Sequence, residues 1–167
     1  MVSADEVMAW LAEVSDPEIP VISIIDLGIV RSVGWEGETC VVTITPTYSG
    51  CPAMTMIAEA VRAKLEAHGV PAVRVATQLS PAWSTDAISQ AGRAALAAYG
   101  IAPPAERAID ISALHGIGRG RAASPAVACP MCGSAHTRLT SQFGSTPCKA
   151  LYQCLDCREP FDYFKCH

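Results

Sequence analysis

The sequence is poor in charged and aromatic residues, and each shortage excludes a class of protein. Only 17% of its 167 residues are charged and 50% are hydrophobic, a balance that excludes an intrinsically disordered chain. The formal net charge is −4 and the pI is near 5.5, which disfavours binding to a nucleic-acid backbone or an anionic membrane. Aromatic residues make up 6%, so aliphatic side chains must fill the core, as suits a mixed helix and sheet domain.

The sequence also lacks a long apolar run. No stretch of about 18 to 20 uncharged apolar residues occurs, and the run 19–25 is broken by Pro20 and Ser23. Asp5 and Glu6 stand where a secretion signal would carry basic residues. We therefore expect a cytoplasmic protein, in which the eight cysteines are more often metal ligands or reactive thiols than disulfides.

The eight cysteines are unevenly distributed, and their distribution divides the sequence into two parts. Cys40 and Cys51 are the only two before residue 128, and the other six follow it. Residues 101–127 contain many turn-forming residues and no apolar periodicity, which is typical of a linker. The predicted segments are an α/β domain at 1–101, a linker at 102–127 and a small cysteine-rich domain at 128–167.

Apolar spacing and turn residues predict the elements of the first part. Ser3 and Glu6 have the spacing of a capping box at the start of a helix. The predicted elements, in order, are a helix from Ser3 to Asp16, strands at 29–35 and 39–45, a helix from Pro52 to Gly69, a strand at 70–79 and a helix from Ser84 or Thr85 to Tyr99. This order predicts the α/β (α+β) class, a small domain with a short mixed sheet whose third strand returns beside the hairpin.

The strongest chemical signal is a pair of C-x-x-C motifs in the last part. Cys129 and Cys132 form the first motif, and Cys154 and Cys157 form the second, about twenty residues later. Each motif folds into a tight turn that presents two thiolates, so the pair predicts a tetrahedral site for structural Zn²⁺. Gly133 supplies the backbone freedom that such a turn needs. An iron–sulfur cluster on the same four thiolates and a pair of redox dithiols remain alternatives.

Three further residues of this part could be ligands. Cys148 and Cys166 lie outside the two motifs, and His167 follows them. Cys148 and Cys166 are either inert thiols, additional metal or cluster ligands, or partners in a regulatory disulfide. For His167, a frayed terminus is the favoured interpretation over metal ligation.

Cys51 is the second candidate site. It directly precedes Pro52, which opens a predicted helix, and it follows Gly50, which leaves the sulfur accessible. Unpaired N–H groups and the positive end of the helix dipole stabilise a thiolate at such a position. We therefore expect a lowered pKa for Cys51, against the alternative that a small residue simply fills a strand-to-helix corner.

Two carboxylates on a proline-stiffened loop form a third candidate. Asp16 and Glu18 lie in this loop, and Asp26 follows it. Carboxylates near a thiolate could share a metal ion or act as a general base. A helix-ending turn, with Asp26 capping a short turn, is the interpretation favoured by the residues alone.

These motifs together carry a resemblance to a known family. The first part resembles the iron–sulfur cluster assembly domain family over residues 4–100, on the motifs Asp16-Pro17-Glu18-Ile19-Pro20-Val21, Ile25-Asp26-Leu27-Gly28-Ile29-Val30 and Thr47-Tyr48-Ser49-Gly50-Cys51-Pro52. With the ribbon motifs at 129–134, 143–150 and 159–166, the whole chain is similar to the family of D subunits of bacterial phenylacetyl-CoA epoxidase systems.

The resemblance implies an accessory role rather than an enzyme activity. It implies that Cys51 is the reactive cysteine, that Asp16 and Glu18 are its neighbours, and that iron or a labile iron–sulfur cluster binds there. The implied partners are the di-iron oxygenase or the iron–sulfur flavin reductase, whose maturation the protein would assist in aerobic phenylacetate catabolism. Neither nucleic acid nor membrane is an expected partner, and the sequence allows a homodimer.

Two alternatives to this role remain open. In one, the cysteine-rich part holds an iron–sulfur centre and carries electrons to an oxygenase. In the other, the protein only organises the complex, and Cys51 is dispensable. The sequence lacks the Glu-x-x-His pairs of a di-iron site, which argues against its being the oxygenase itself.

Overall fold

The structure, a computed structural model, describes residues 2–104 and 127–165. The described chain divides into two compact units, the first ending at Tyr99 and the second running from Gly100 to Lys165. Most of the predicted linker falls outside the described residues, as do Cys166 and His167. The predicted domain boundaries therefore stay a prediction.

The first unit has the predicted order of elements and the predicted fold class, an α+β unit with a short mixed sheet. Antiparallel β1 and β2 form the hairpin, and β3 lies parallel to β2 on its other side. The elements are α1 (Ala4–Leu11), β1 (Val30–Glu36), β2 (Thr39–Ile44), α2 (Ala53–Ala67), β3 (Ala72–Thr77), a 3₁₀ turn (Thr85–Ala87) and α3 (Gln90–Tyr99).

Local sequence explains where the first helix begins. The Ser3 side chain accepts a hydrogen bond from the Glu6 N–H, and the Glu6 carboxylate accepts one from the Ser3 N–H at 2.8 Å, so the predicted capping box is confirmed. Helix α1 ends at Leu11, earlier than predicted. The chain turns there because the segment before Asp16 is tied to the next loop, where the Ile24 N–H donates to the Val14 carbonyl at 2.9 Å.

The core of the first unit lies between the sheet and its helices. Side chains of β2 alternate between buried and half-buried, with Val42 fully buried at the centre of the strand. Helix α2 packs on α1 and β3. Its buried stripe is Ala53, Ile57, Val61 and Leu65. Met54 is half-buried, because the stripe follows a spacing of four residues from Ala53.

The last predicted helix of this unit is two elements. A 3₁₀ turn follows Ser84, and α3 begins only at Gln90. Tertiary hydrogen bonds cause the break, since the Ser89 N–H donates to the Asp26 carbonyl at 2.8 Å and the Ser89 hydroxyl to the Asp26 carboxylate at 2.6 Å. The Ser89 hydroxyl also accepts the Gly92 N–H at 2.9 Å, so Ser89 caps α3.

The second unit is a four-stranded sheet. Its strands are β4 (Ile101–Ala102), β5 (Thr137–Ser141), β6 (Lys149–Cys154) and β7 (Pro160–Phe164). They are arranged in the order β4-β7-β6-β5, with β4 parallel to β7 and the other pairs antiparallel. Tyr152 is central to its small core, with ring centroids 5.9 Å from Phe161 and 5.5 Å from Tyr163.

In the part of the chain that the structure describes, no helix is both long and apolar enough to cross a bilayer.

Candidate functional site

The four predicted ribbon ligands come together in the second unit. The Sγ atoms of Cys129, Cys132, Cys154 and Cys157 all lie within 4.8 Å of one another. The Cys129–Cys157 and Cys132–Cys154 sulfur pairs are 3.7 and 3.6 Å apart. A disulfide would need about 2.05 Å, whereas a metal–sulfur distance of about 2.3 Å gives a tetrahedron with edges of about 3.8 Å. The donor set therefore fits one tetrahedral metal ion.

The two turns that carry these cysteines have matching backbones. The Cys129 N–H donates to the Ser134 carbonyl at 2.8 Å, and the Cys154 N–H donates to the Glu159 carbonyl at 3.0 Å. The residue after each motif has a positive φ, 77° at Gly133 and 69° at Arg158. Both turns are thus shaped by their own main chain to present two sulfurs to the same point.

The four thiols of the cluster need a nearby positive charge if all of them are to be ionised. Hydrogen bonds from the N–H groups of Cys157 and Asp156 lower the pKa of Cys154 to about 6. The pKa of Cys157 is raised to about 12, because burial and the neighbouring sulfurs outweigh the hydrogen bond from the Glu159 N–H. Four sulfurs at these distances cannot all ionise side by side in the absence of positive charge, and a divalent metal removes that conflict.

Side-chain hydrogen bonds of Asp156 with Ser134 and His136 join the two cysteine turns. We call these contacts the Asp156 brace, and they were not predicted from the sequence. Asp156, inside the second motif, accepts from the Ser134 hydroxyl, and its other oxygen lies 3.1 Å from His136 Nδ1. These hydrogen bonds lower the pKa of Asp156, the one from Ser134 having the larger effect. The signal that could have found the brace is the presence of polar residues directly beside both motifs.

Cys148 lies outside the four-cysteine cluster. It is buried, and its sulfur is 3.0 Å from the Thr146 hydroxyl. This placement does not bring Cys148 to the metal site as an additional ligand.

Cys51 occupies the corner between β2 and α2, as predicted. Its N–H donates to the Tyr48 carbonyl at 3.2 Å, and its carbonyl accepts the Met54 N–H at 3.4 Å. Pro52 is the cap of α2 and provides no side-chain hydrogen bond. The thiol is half-buried and hydrogen-bonds to the side chain of Thr47, a buried residue that the sequence reasoning did not single out.

The predicted lowering of the Cys51 pKa is wrong. Burial raises the pKa of this thiol, a hydrogen bond from the Ala53 N–H lowers it, and the charges of Glu18 and Asp16 raise it further. The helix end contributes one N–H, which is outweighed by desolvation and by two nearby acids. Both carboxylates are therefore within electrostatic range of Cys51.

The loop that carries the two acids is fixed by its own backbone. Asp16 is buried, and its Oδ1 accepts from the N–H groups of Glu18 and Ile19 at 2.8 and 2.9 Å. The Asp16 N–H in turn donates to the Ile22 carbonyl at 3.0 Å. Asp16 therefore has the structural role of stabilising the turn after α1, and Glu18 in this turn is half-buried.

The acids and Cys51 are less tightly grouped than the ribbon cysteines. Among the described residues, only the four ribbon cysteines bring three or more metal-ligand atoms within 4.8 Å of one another. A cavity of about 310 Å³ adjoins the Cys51 corner, lined by Pro46, Thr47, Tyr48, Ser49, Leu79, Ala82 and Trp83. The described residues thus form one closed four-sulfur site and, at the Cys51 corner, hold a single half-buried thiol.

Comparison with known families matches both parts of the chain. The family described as "Iron-sulfur cluster assembly protein" matches residues 4–77, and the "PaaD zinc beta ribbon domain" matches residues 116–165. The second unit is therefore a zinc β ribbon with a cysteine metal-binding cluster. Both matches agree with the resemblance that the motifs carry.

Individual relatives span the chain to different extents. The D subunit of "Putative 1,2-phenylacetyl-CoA epoxidase" from Escherichia coli (strain K12) is 48% identical over 96% of this chain and 92% of its own length. "Fe-S protein maturation auxiliary factor" of Porphyromonas gingivalis (strain ATCC BAA-308 / W83) is 38% identical over 52% of this chain and 83% of its own length. The crystal structure of a domain of unknown function, DUF59, from Bacillus anthracis covers 56% of this chain and 90% of its own, with a TM-score of 0.52 and 30% identity.

Proposed function

Because the chain belongs to the family of D subunits of 1,2-phenylacetyl-CoA epoxidase, we propose that it is an accessory maturation protein of such an epoxidase system. In this role it assists the assembly of iron or an iron–sulfur cluster on the di-iron oxygenase or on the iron–sulfur flavin reductase. It contributes no catalytic residue of its own and acts in the cytoplasm in aerobic phenylacetate catabolism. The P. gingivalis relative, described as a maturation factor, supports the assembly role for the first unit.

The observation that carries the proposal is the contrast between the two thiol sites. The four ribbon sulfurs surround a single point, whereas Cys51 is one thiol with two carboxylates near it. Closed sites with four protein ligands hold a metal for structure, and sites with few protein ligands keep positions open for exchange. A carrier needs the second kind, because its cargo must leave.

Zn²⁺ is the proposed resident metal of the ribbon, held by Cys129, Cys132, Cys154 and Cys157. All-sulfur tetrahedral ligation suits zinc, and the ion would supply much of the folding free energy of the second unit. The Asp156 brace holds the two turns in place for it.

Iron, alone or as a labile cluster, is the proposed cargo of the first unit. Cys51 supplies the sulfur ligand, and Glu18 and Asp16 supply negative charge and candidate oxygen ligands. We also propose that the predicted domains divide the work, so that the first carries the cargo while the ribbon holds the partner.

The test is a comparison of two cysteine variants with the wild-type protein. In Cys51→Ala the zinc content and fold remain, and iron binding weakens by at least about tenfold, since even loss of a ligand's supporting hydrogen bond costs that much. The iron content of the co-expressed oxygenase or reductase falls accordingly. Cys40→Ala is the matched control, because Cys40 is buried in β2, away from the corner.

The outcome is measured as the zinc, iron and acid-labile sulfide content of anaerobically purified protein. Full iron loading of the partner by Cys51→Ala would contradict the carrier role. Iron and sulfide retained by that variant, with little zinc, would instead place a cluster on the ribbon cysteines and favour an electron-transfer protein.

A further inference from the structure

The sheet of the second unit has one face that lies opposite its small core and is buried only in part. Tyr152 and Phe161 pair across β6 and β7 and face the core. Side chains alternate along a strand, so Leu151 and Asp162, which also pair, lie on the opposite face. We call this the outer face of the ribbon. A cavity of about 400 Å³ lies on it, lined in part by Leu151, Asp162 and the loop residue Phe143.

The loop 142–146, between β5 and β6, is fixed against this face. The Gly144 N–H donates to the Lys149 carbonyl at 2.8 Å, and the Ser145 hydroxyl donates to the Asp162 carboxylate at 2.8 Å. A Cβ at residue 144 would lie 2.5 Å from an Asp162 oxygen, so the loop backbone rests directly on the strand. The exposure of any side chain on this loop is therefore set by the fold.

Phe143 is the exposed apolar side chain of that loop. It is 67% exposed, and Lys165 Nζ lies 4.6 Å from its ring centroid while donating to the Gln142 carbonyl at 3.1 Å. The cation holds the ring in one orientation without covering it. An aromatic side chain presented in this way is a pre-organised anchor, which loses little conformational freedom when a partner buries it.

The charges of the outer face are mostly positive. Asp162 is neutralised by the buried Lys149, whose Nζ is 3.3 Å away. In residues 2–104 and 127–165, no carboxylate lies within ion-pair distance of Lys165, and none lies so close to Arg138, which donates to Gln153 at 2.9 Å. These two unpaired cations stand out on a chain of net charge −4.

In the described part of the second unit, residues 100–104 and 127–165, the other acids do not offset these cations. Asp156 contacts Ser134 and His136 in the Asp156 brace. Glu159 directly follows Arg158 in the second cysteine turn. An acidic surface is therefore the complement of this face.

We propose that the outer face of the ribbon is a docking surface for an acidic protein partner, which receives Phe143 in an apolar pocket rimmed by carboxylates. Lys165 and Arg138 meet those carboxylates at the edge of the contact. Two cations are too few for nucleic-acid binding, whose affinity is built from many phosphate contacts. The choice of partner rests on the proposed function, which makes the oxygenase and the reductase the components to be tested.

The experiment measures binding of the full chain to the purified oxygenase and, separately, to the purified reductase by calorimetry. Phe143→Ala weakens binding to one of them by about 10- to 30-fold, the effect of losing an interface anchor. Lys165→Glu and Arg138→Glu weaken it less and reduce its salt dependence. Tyr99→Ala, which removes another exposed aromatic ring, leaves the affinity unchanged. Zinc content verifies that each variant keeps a folded ribbon.

The outcomes separate this surface from the carrier role. If Phe143→Ala binds both components as tightly as the wild type, the docking surface is overturned, while iron transfer that depends on Cys51 still supports the proposed function. If the wild type binds neither the oxygenase nor the reductase, the proposal that this face docks a component of the epoxidase system is overturned. Phe143-dependent binding of a single-stranded oligonucleotide, with no binding of either protein, overturns it in favour of nucleic acid.

Discussion

Arg158 adopts a backbone conformation that residues with a side chain rarely hold. Its φ of 69° matches the 77° of Gly133 at the equivalent position of the first cysteine turn. The left-handed region costs a non-glycine residue about 1–2 kcal/mol. Zinc ligation by the neighbouring cysteines is what we expect to hold it there.

Replacing this arginine tests that cost. Arg158→Gly relieves the strain but adds up to about 1 kcal/mol of unfolded-state entropy, so we expect a net gain of up to about 1 kcal/mol in ribbon stability. Gly133→Ala should lose about 1 kcal/mol. The rate of zinc loss to a chromophoric chelator measures both, and a shift of both rates in the same direction would refute the equivalence of the two turns.

Single residues could be predicted from the sequence where chemistry depends on spacing. The four ribbon cysteines meet because two short motifs fold independently of their surroundings. The Cys51 corner was located, but the direction of its pKa shift was missed, because desolvation and the approach of Asp16 and Glu18 depend on tertiary packing. His136 belongs to no motif, and Thr47 lies in the Cys51 motif without a predicted role, so their contacts were found only in the structure.

At the scale of elements, capping and periodicity predicted the order but not all the boundaries. The capping box at Ser3 placed the start of α1 correctly because that signal is local. The segment 84–99 reads as one helix in the sequence, yet Ser89 binds Asp26, 63 residues away, and divides it. A long-range hydrogen bond of this kind cannot be predicted from the spacing of apolar residues.

The close contact between α3 and the loop beneath it gives a second prediction. A Cβ at Gly92 would lie 2.9 Å from Ile22 Cδ1 and 3.0 Å from the Asp26 carbonyl oxygen. Helix propensity favours Gly92→Ala by about 1 kcal/mol, whereas overpacking costs about 1–3 kcal/mol. Because the Asp26 carbonyl is held by Ser89, we expect the clash to dominate and the free energy of unfolding to fall by about 1 kcal/mol in urea denaturation.

Ala94→Gly on the exposed side of α3 is the control. It should cost about 1 kcal/mol through helix propensity alone. A gain in stability from Gly92→Ala would show instead that the loop moves away freely.

At the scale of the whole molecule, the described chain has two kinds of unit, while the domain boundaries inferred from the uneven distribution of cysteines stay a prediction. The first unit buries an aliphatic core beneath its sheet, and the second builds a small core beside a four-cysteine centre. The pairing of Ile101–Ala102 with β7 could not be predicted, because a two-residue strand has no detectable pattern and its partner lies far along the chain.

Removal of the ribbon metal should unfold the second unit and leave the first unit folded. Chelation, or the variant Cys154→Ser, should unfold residues 127–165, because a sheet of this size depends on metal binding for its folding free energy. Amide hydrogen exchange should then show protection lost there and kept in α2 and β2. Cys148→Ala, which removes a buried cysteine outside the cluster, should retain the metal and the protection. Loss of protection in both units after chelation would contradict this independence.

The pairing of β4 with β7 also sets an order of events during translation. Every strand of the first sheet has been synthesised by Thr77, whereas β4 finds its partner only when Asp162 and Tyr163 have been added. Domains of a nascent chain fold as they are completed, so the first unit can form early and the ribbon closes last. A ribosome that stalls between residue 102 and Asp162 has made the whole first unit but leaves β4 unpaired. The closed ribbon is therefore a mark that synthesis has passed this last strand.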